Sequence, residues 1–180
     1  MRQQTEQNIR QRWRLETLSK DPVIAAIRKL FRAAGCDPTR YRPSSEALLR
    51  RVLKGGALPA IHPLVDLNNC LSLRLGVPCC VLAKGSIAAP LTFRRGLEGE
   101  EMDSLRGPFN LTGKPLLEDS QGPFGTPITD GERVRILAGT REGYLVAYLP
   151  TGMLSEEVVH RAVGDLFGET GSPPQQTSAS

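Results

Sequence analysis

The chain has 180 residues, of which 39% are hydrophobic and 5% aromatic, and its formal net charge is +4. This length suggests one domain with a buried core. The apolar runs are too short to span a membrane, and residues 1–14 are polar and basic without the apolar segment of a secretory signal. We therefore expect a cytoplasmic protein with no membrane partner.

The charge is unevenly distributed along the chain. Residues 1–60 carry 13 Lys and Arg against 5 Asp and Glu, whereas residues 61–180 carry 10 against 14. A basic leading third favours contact with a polyanion. A helical surface that is merely rich in basic side chains gives the same pattern, so charge alone does not separate the two interpretations.

The cysteines and histidines show no metal-site spacing. Cys36, Cys70, Cys79 and Cys80 form no C-x-x-C pair, and the two histidines are far from any such pair. Phosphate-loop and dinucleotide motifs are absent as well. We therefore expect reduced thiols, no metal and no cofactor.

Helical periodicity dominates the first half of the chain. Residues 1–20 are expected to form a polar helix or an extension. Asp21 can cap a second helix that has Pro22 at its first position. Further helices are predicted to begin at Pro43 and at Asp66, with Asp66 as the N-cap and Gly76 as the exit.

Short strands separated by Gly and Pro follow, and a final helix closes the domain. Ser155 is expected to cap that helix, Gly168 to end it and Val158 to face inward. This order of elements indicates an α+β fold with a mixed β-sheet core flanked by helices, a globular domain over residues 21–168 and a disordered tail over 169–180. The predicted strands are Cys79–Ala83, Leu91–Arg95, Pro115–Leu117, Val134–Leu137 and Tyr144–Leu149.

Three polar stretches are candidates for chemistry, and the third, Leu91–Arg95 with Glu98–Glu101, is interpreted as a charged strand and a solvated turn. Asn68 and Asn69 offer amide donors and acceptors that suit an amino group or a ribose hydroxyl, although a purely local cap and turn explains them equally well. The Gly-rich stretch 122–133 carries the second set of polar side chains. Its acidic groups can fix an amino group, and its arginine can bind a carboxyl, a phosphate or an internal aspartate. An Asp130–Arg133 pair that only shapes the loop is the alternative.

These stretches together resemble the editing, tRNA-binding domain of the phenylalanyl-tRNA synthetase β subunit. The likeness rests on the run from Arg42 to Arg51, on Val65–Asn69, on Gly76-Val77-Pro78 and on Gly122–Gly125. It covers roughly residues 21–149. The resemblance implies a freestanding deacylase in which water attacks the ester of a mischarged aminoacyl-tRNA.

The resemblance also implies roles for individual residues. Asn69 matches an asparagine of the family, and Cys80 stands where the bacterial domain can carry a histidine. Asp130 or Glu132 matches the acidic editing residue. The implied catalytic residues are Asn69, Thr129 and Asp130, and the implied substrate-binding residues are Asn68, Cys80, Thr126, Glu132 and Arg133.

The basic side chains are expected to contact tRNA phosphates. We expect a tRNA partner and no DNA, with an aminoacyl-tRNA synthetase as a further candidate partner. A non-catalytic module that binds tRNA or an amino acid is the main alternative, and a small-molecule enzyme on the same fold is a third. The residues expected to contact tRNA are Arg42, Arg50, Arg51, Lys54 and Lys84.

Overall fold

The computed structural model describes residues 1–170, with the backbone alone at 169 and 170. It confirms the predicted α+β class. The helices are α1 (Arg2–Arg12), α2 (Pro22–Ala33), α3 (Ser44–Leu53), α4 (Pro63–Leu75) and α5 (Glu156–Thr170). The strands are β1 (Cys79–Ala83), β2 (Thr92–Arg95), β3 (Glu101–Ser104), β4 (Gly107–Asn110), β5 (Pro115–Asp119), β6 (Gly122–Gly125) and β7 (Gly143–Ala147).

The named strands form three small sheets, all antiparallel, where a mixed β-sheet core was expected. These sheets are β1–β7, β2–β5–β6 and β3–β4. Short turns connect β3 to β4 and β5 to β6, and short turns allow only antiparallel pairing. A parallel pair of neighbouring strands needs a longer crossover, which the chain does not supply between them.

Strand β1 separates two hydrophobic cores. Its residues alternate between the faces of the β1–β7 sheet, as the two-residue period of a strand requires. Cys79 packs with the helical core, which also holds Phe31, Leu49 and Leu71. Cys80 and Leu82 pack with a second core that contains Phe124, Val134 and Tyr148. The sheet thus places the helices on one side and the Gly-rich loop on the other.

Helix α1 packs on the domain through buried side chains on one face. Ile9 and Trp13 are buried in the helical core, and the Trp13 indole Nε1 donates to Asp21 Oδ2 at 3.0 Å. The other carboxylate oxygen of Asp21 accepts from the N–H groups of Val23 and Ile24, so Asp21 is the predicted N-cap of α2. One carboxylate therefore joins the N-terminal segment to the start of the second helix.

A buried glutamate holds α2 and α3 together. Glu46 on α3 is 1% exposed, and its Oε2 lies 2.9 Å from the Arg28 guanidinium on α2. Arg50 lies 2.9 Å from Oε1, and Arg42 approaches the same oxygen at 3.8 Å. Because a buried carboxylate is costly without cations, these arginines balance its charge.

Helix α4 begins one turn earlier than predicted. Its N-cap is His62, whose Nδ1 accepts from the N–H of Leu64, and Pro63 occupies the first helical position. Asp66 lies inside the first turn, where its Oδ1 accepts from the N–H of Ile61. The prediction of Asp66 as the N-cap is therefore wrong, because histidine took the capping role. Gly76 ends the helix with φ +73°, as predicted.

Several local predictions need correction. Residues 132–134 form a 3-10 helix and 135–137 are irregular, so the predicted strand Val134–Leu137 is wrong. The hairpin β3–β4 was not predicted, because its residues are mostly charged or turn-forming. Strand β6 lies in the stretch expected to be a loop.

Helix α5 runs past its predicted end. It continues through Gly168 to Thr170, and Val158 is 39% exposed rather than buried. Ser155 caps the helix weakly, with its Oγ 3.4 Å from the N–H of Val158. Apart from its first two residues, the predicted tail 169–180 lies outside the described residues. Within the described range, none of the helices combines the length and apolarity needed to span a membrane.

Replacement of Glu46 by glutamine should destabilise the fold strongly. The change leaves three arginine side chains around a buried amide that carries no negative charge. Loss of one partner of a buried ion pair typically costs about 3 kcal/mol or more. Urea unfolding at pH 7 measures this loss. The matched control is Glu101→Gln, which removes an exposed carboxylate. Equal stabilities of the two variants would contradict the assignment.

Candidate functional site

The Gly-rich loop is shaped by the hydroxyl of Thr126. This side chain is 2% exposed, and its Oγ1 accepts from the N–H groups of Ile128 and Thr129 at 3.1 and 3.0 Å. The same hydroxyl donates to the carbonyl of Thr129 at 3.0 Å. Its donor and both acceptor positions are occupied, so Thr126 closes the turn and has no hydrogen bond left for a substrate.

The turn presents Asp130 beside the second core. The carbonyl of Asp130 accepts from the N–H of Leu105 at 3.1 Å, and its backbone also pairs with Gly125. A Cβ at Gly125 would lie 3.5 Å from Asp130 Oδ1 and 3.9 Å from the Tyr148 hydroxyl. The backbone of Gly125 therefore lies beside both the Asp130 carboxylate and the Tyr148 hydroxyl.

Asp130 has an unusual electrostatic environment for an aspartate. Within residues 1–170, no group donates a hydrogen bond to its carboxylate and no cation forms an ion pair with it. Desolvation by burial raises the pKa of Asp130 to about 7. The residue nevertheless keeps partial solvent exposure. A carboxylate of this kind is half-protonated near neutral pH and can take up a proton from a reacting group.

Cys80 and Tyr148 form the wall next to Asp130. The Cys80 Sγ and the Tyr148 hydroxyl are 3.9 Å apart, and both side chains are buried. Burial raises the pKa of both groups, and the negative charge of Asp130 raises each pKa further. Cys80 therefore stays a thiol, which is a poor nucleophile. Cys80 and Tyr148 therefore form a neutral, weakly polar wall.

An apolar rim lies beside this wall. The Phe93 ring is 5.7 Å from the ring of Tyr148 and is 48% exposed. Leu105, which donates its N–H to the carbonyl of Asp130, is 46% exposed. The site thus combines one ionisable carboxylate with apolar surface.

Arg133 is a structural clamp for the loop. Its guanidinium makes a bidentate contact with Asp119 at 3.1 and 2.8 Å and also donates to the carbonyls of Ser86 and Gly122. These bonds use all four terminal N–H groups. The partner is Asp119, not Asp130, so the expected Asp130–Arg133 pair is not formed.

The other acidic and hydroxyl residues of the loop differ in their surroundings. Thr129 is partly buried beside Asp130 in the chain, and its carbonyl is held by Thr126. Glu132 is exposed and forms an ion pair with Arg135 at 2.7 Å. Of the two candidates for the acidic editing residue, the structure brings Asp130 to Cys80 and leaves Glu132 at the surface.

The two asparagines lie on α4. Asn68 is buried, donates its Nδ2 to the carbonyl of Cys79 at 3.3 Å, and leaves its Oδ1 without a hydrogen-bond partner. Asn69 is partly exposed, and no hydrogen bond from a described residue reaches its amide. Because α4 packs on the helical face of β1, Asn68 lies across the sheet from Cys80.

The predicted tRNA-contact residues do not form one free surface. Arg42 and Arg50 share the Glu46 carboxylate described above, and Arg51 donates to the carbonyl of Ala57 at 2.8 Å. Lys84 pairs with Glu142 at the start of β7. Lys54 is exposed, without an ion pair in the described part of the chain.

Sequence reasoning missed Tyr148, Phe93 and Asp119. Val146 pairs with Cys80, and Tyr148 is two residues beyond Val146. Because side chains two residues apart in a strand share a face, this spacing could have predicted Tyr148 beside Cys80. Asp119 gave no comparable signal, because its partner Arg133 is fourteen residues away across a sheet edge.

Comparison with protein-family models gives a match over most of the domain. The model of the B3/4 domain matches residues 26–158, well over half of the chain. The chain belongs to the B3/4 domain family. This domain is found in the phenylalanyl-tRNA synthetase β subunit, which implies a tRNA-related role for the present B3/4 domain. The family match confirms the resemblance seen in the sequence. A comparison with curated protein sequences finds no match.

The stability of this B3/4 domain should depend on pH through Asp130. Its pKa is raised from 3.8 to about 7, so the folded state binds the proton more tightly than the unfolded state. Stability is then lost as pH rises from about 4 to 7. Asp130→Asn should remove that loss and exceed the wild type at pH 8 by on the order of 2 kcal/mol. Urea unfolding at pH 5 and 8 measures both, with the exposed Asp165→Asn as the control.

Replacement of Arg133 by lysine should loosen the loop rather than weaken a substrate contact. Lysine keeps the charge but cannot make the bidentate bond to Asp119 and reach both carbonyls. We expect a loss of about 2 kcal/mol in unfolding free energy. Thermal unfolding checks this, with Arg141→Lys as the control at an exposed site. An unchanged melting temperature would remove the structural role.

Proposed function

We propose that this B3/4 domain is a trans-editing deacylase that hydrolyses the ester of mischarged aminoacyl-tRNA. The observation that carries the proposal is Asp130, a carboxylate with a pKa of about 7 to which no described residue donates a hydrogen bond. The family's tRNA-related role supplies the substrate class. To this class we add the reacting bond, the ester that joins the wrong amino acid to the tRNA.

Asp130 suits the role of general base. Ester hydrolysis by water needs a group that takes a proton as the water attacks, and such a base works best when its pKa lies near the operating pH. An ordinary aspartate, with a pKa near 3.9, is a much weaker base. Ionised Asp130 can also pair with the α-ammonium group of the aminoacyl ester and orient it.

The neighbouring side chains favour attack by water over attack by the protein. The Cys80 thiol stays protonated beside Asp130, so thiolate attack is disfavoured. Thr129 is adjacent to Asp130 in the chain, and Thr126 binds its backbone N–H and carbonyl rather than its hydroxyl. We assign to Thr129 and Asn69 the positioning of the ester and the water, as the family resemblance implies.

The residues that hydrogen-bond within the loop have a structural role in the proposed reaction. Thr126 and Arg133 hold the turn and its base, so they position Asp130 rather than touch the substrate. Glu132 has no part in it, because its carboxylate pairs with Arg135 at the surface. Asn68 supports β1 from the helical side.

A non-catalytic module that binds tRNA or an amino acid is the second candidate. Thr126 and Arg133 favour it, because both side chains hydrogen-bond to other groups of the protein. Few polar groups of the loop are then free for catalysis. Under this function the ionised Asp130 would bind an ammonium group without hydrolysis. Salt-dependent tRNA affinity is common to both candidates, so turnover must separate them.

The test is deacylation of a panel of correctly charged and mischarged tRNAs by the purified protein. We expect rapid loss of one mischarged species and a fall of about 100-fold or more in kcat/KM for Asp130→Asn. The rate should rise with pH below about 7 and level off above it, because the ionised carboxylate is the active form. The exposed Asp165→Asn is the matched control, and Asn69→Ala tests the second catalytic assignment.

Two outcomes would overturn the proposal. No acceleration on any charged tRNA, by a protein that still binds tRNA, would leave the binding module. Full activity of Asp130→Asn would remove this residue from the chemistry.

A further inference from the structure

A second surface of the domain carries positive charge that no acidic side chain neutralises. We define the Tyr41 patch as Arg40, Tyr41, Arg95, Phe109 and Lys114. Within residues 1–170, neither Arg40, Arg95 nor Lys114 forms an ion pair. None of these three cations is among the residues that the sequence predicted for tRNA contact.

Lys114 is the most unusual member of the patch. It is 3% exposed, although lysines are almost never buried unless they are paired with an acid. Its Nζ lies 4.1 Å from the centre of the Tyr41 ring and 5.4 Å from that of Phe109, and it donates to Asn110 Oδ1 at 3.3 Å. Two aromatic faces and one amide oxygen hold this cation in place without cancelling its charge.

The other two cations lie next to Lys114. The Arg40 guanidinium is 5.2 Å from the Tyr41 ring, so it shares that ring with the lysine. The Arg95 guanidinium packs on Gly35 and on Gly113, the residue before Lys114, where a Cβ would lie 2.9 and 3.5 Å from its nitrogen. Both glycines have positive φ, a backbone conformation that favours glycine, and the guanidinium packs directly against their backbone.

An open cleft of about 360 Å³ adjoins Arg95. Thr112 lines it, and its Oγ1 accepts from the N–H of Gly99 at 3.0 Å, which leaves the hydroxyl hydrogen to donate. Glu98 also lines the cleft, and Asp37 lies in the loop before Arg40, but neither forms an ion pair with the cations. The Arg95 fork and the Thr112 hydroxyl are donors that match phosphate oxygens.

The patch borders the candidate site along one strand. Phe93 and Arg95 are two residues apart on β2, so their side chains leave the same face about 7 Å apart. Phe93 packs against Tyr148 beside Asp130, whereas Arg95 faces Gly35 and Gly113. Arg94, on the opposite face of the strand, is paired with Glu100 and Glu118.

We infer that the Tyr41 patch binds the sugar–phosphate backbone of the tRNA substrate, with a phosphate in the Arg95 cleft and the acylated end at Asp130. This inference rests on the proposed function, and the contact set predicted from the sequence stays a separate prediction. A phosphate would supply the negative charge that the exposed Arg40 and Arg95 lack, and the buried Lys114 would add to the positive potential without touching it. Arg95 and Phe93 lie on one face of β2, so an RNA strand bound along this face would extend from the Tyr41 patch to Asp130.

The experiment measures binding of uncharged tRNA to the full chain by fluorescence anisotropy at several salt concentrations. We expect the Arg40→Gln/Arg95→Gln variant to bind at least about tenfold more weakly, and its plot of log affinity against log salt to be shallower by one to two units. The matched control, Arg141→Gln, removes an exposed charge near β7 and should bind within twofold of the wild type. Thermal unfolding of each variant verifies the fold.

The outcomes separate this inference from the proposed function. Weaker binding by the double variant, in a protein that deacylates no charged tRNA, supports the patch and overturns the deacylase. A double variant that binds tRNA like the wild type overturns the patch whatever the activity. An equal loss for Arg141→Gln also overturns it, because the effect would then be one of net charge alone.

Discussion

Strand β1 is buried on both faces, and this constraint organises the rest of the molecule. Its alternating side chains must match a helical core on one side and the Gly-rich loop on the other. Cys79 packs in the helical core, on the side where α4 lies and Asn68 donates a hydrogen bond to the carbonyl of Cys79. Cys80 serves the second side and shields Asp130 from water. A one-residue slip would exchange the two faces and dismantle the site, so the register of β1 against β7 fixes the chemistry.

Two aspartates on either side of β6 illustrate how environment assigns roles. Burial opposes the ionisation of Asp119, but hydrogen bonds from Arg133 and from two backbone N–H groups outweigh it and lower its pKa. Asp130 is also desolvated by burial, but none of residues 1–170 donates a hydrogen bond to its carboxylate, and its pKa rises. The first carboxylate is a permanent anion that anchors the loop. The second can exchange a proton at neutral pH. Environments that separate the pKa values of two acids in this way are typical of acid–base sites.

Local sequence signals predicted the fold class and most helices, because capping residues and periodicity act over a few neighbours. Asp21 with Pro22 is the clearest case. The hairpin β3–β4 and the partners of Arg133 and Lys114 depend on contacts between distant residues, which no local pattern encodes. The basic residues show the same limit. Composition placed positive charge in the first third of the chain, but only the structure shows that Glu46 balances Arg42 and Arg50 while Arg95 stays unpaired.

The central claim is that burial without a donor gives Asp130 a pKa near neutrality. The most direct measurement is an NMR pH titration of the side-chain carboxyl carbons in protein labelled with ¹³C at its seven aspartates. The account predicts one carboxyl that titrates near pH 7 and is missing from the spectrum of Asp130→Asn. If all seven carboxyls titrate below about pH 5, as ordinary aspartates do, the account is contradicted.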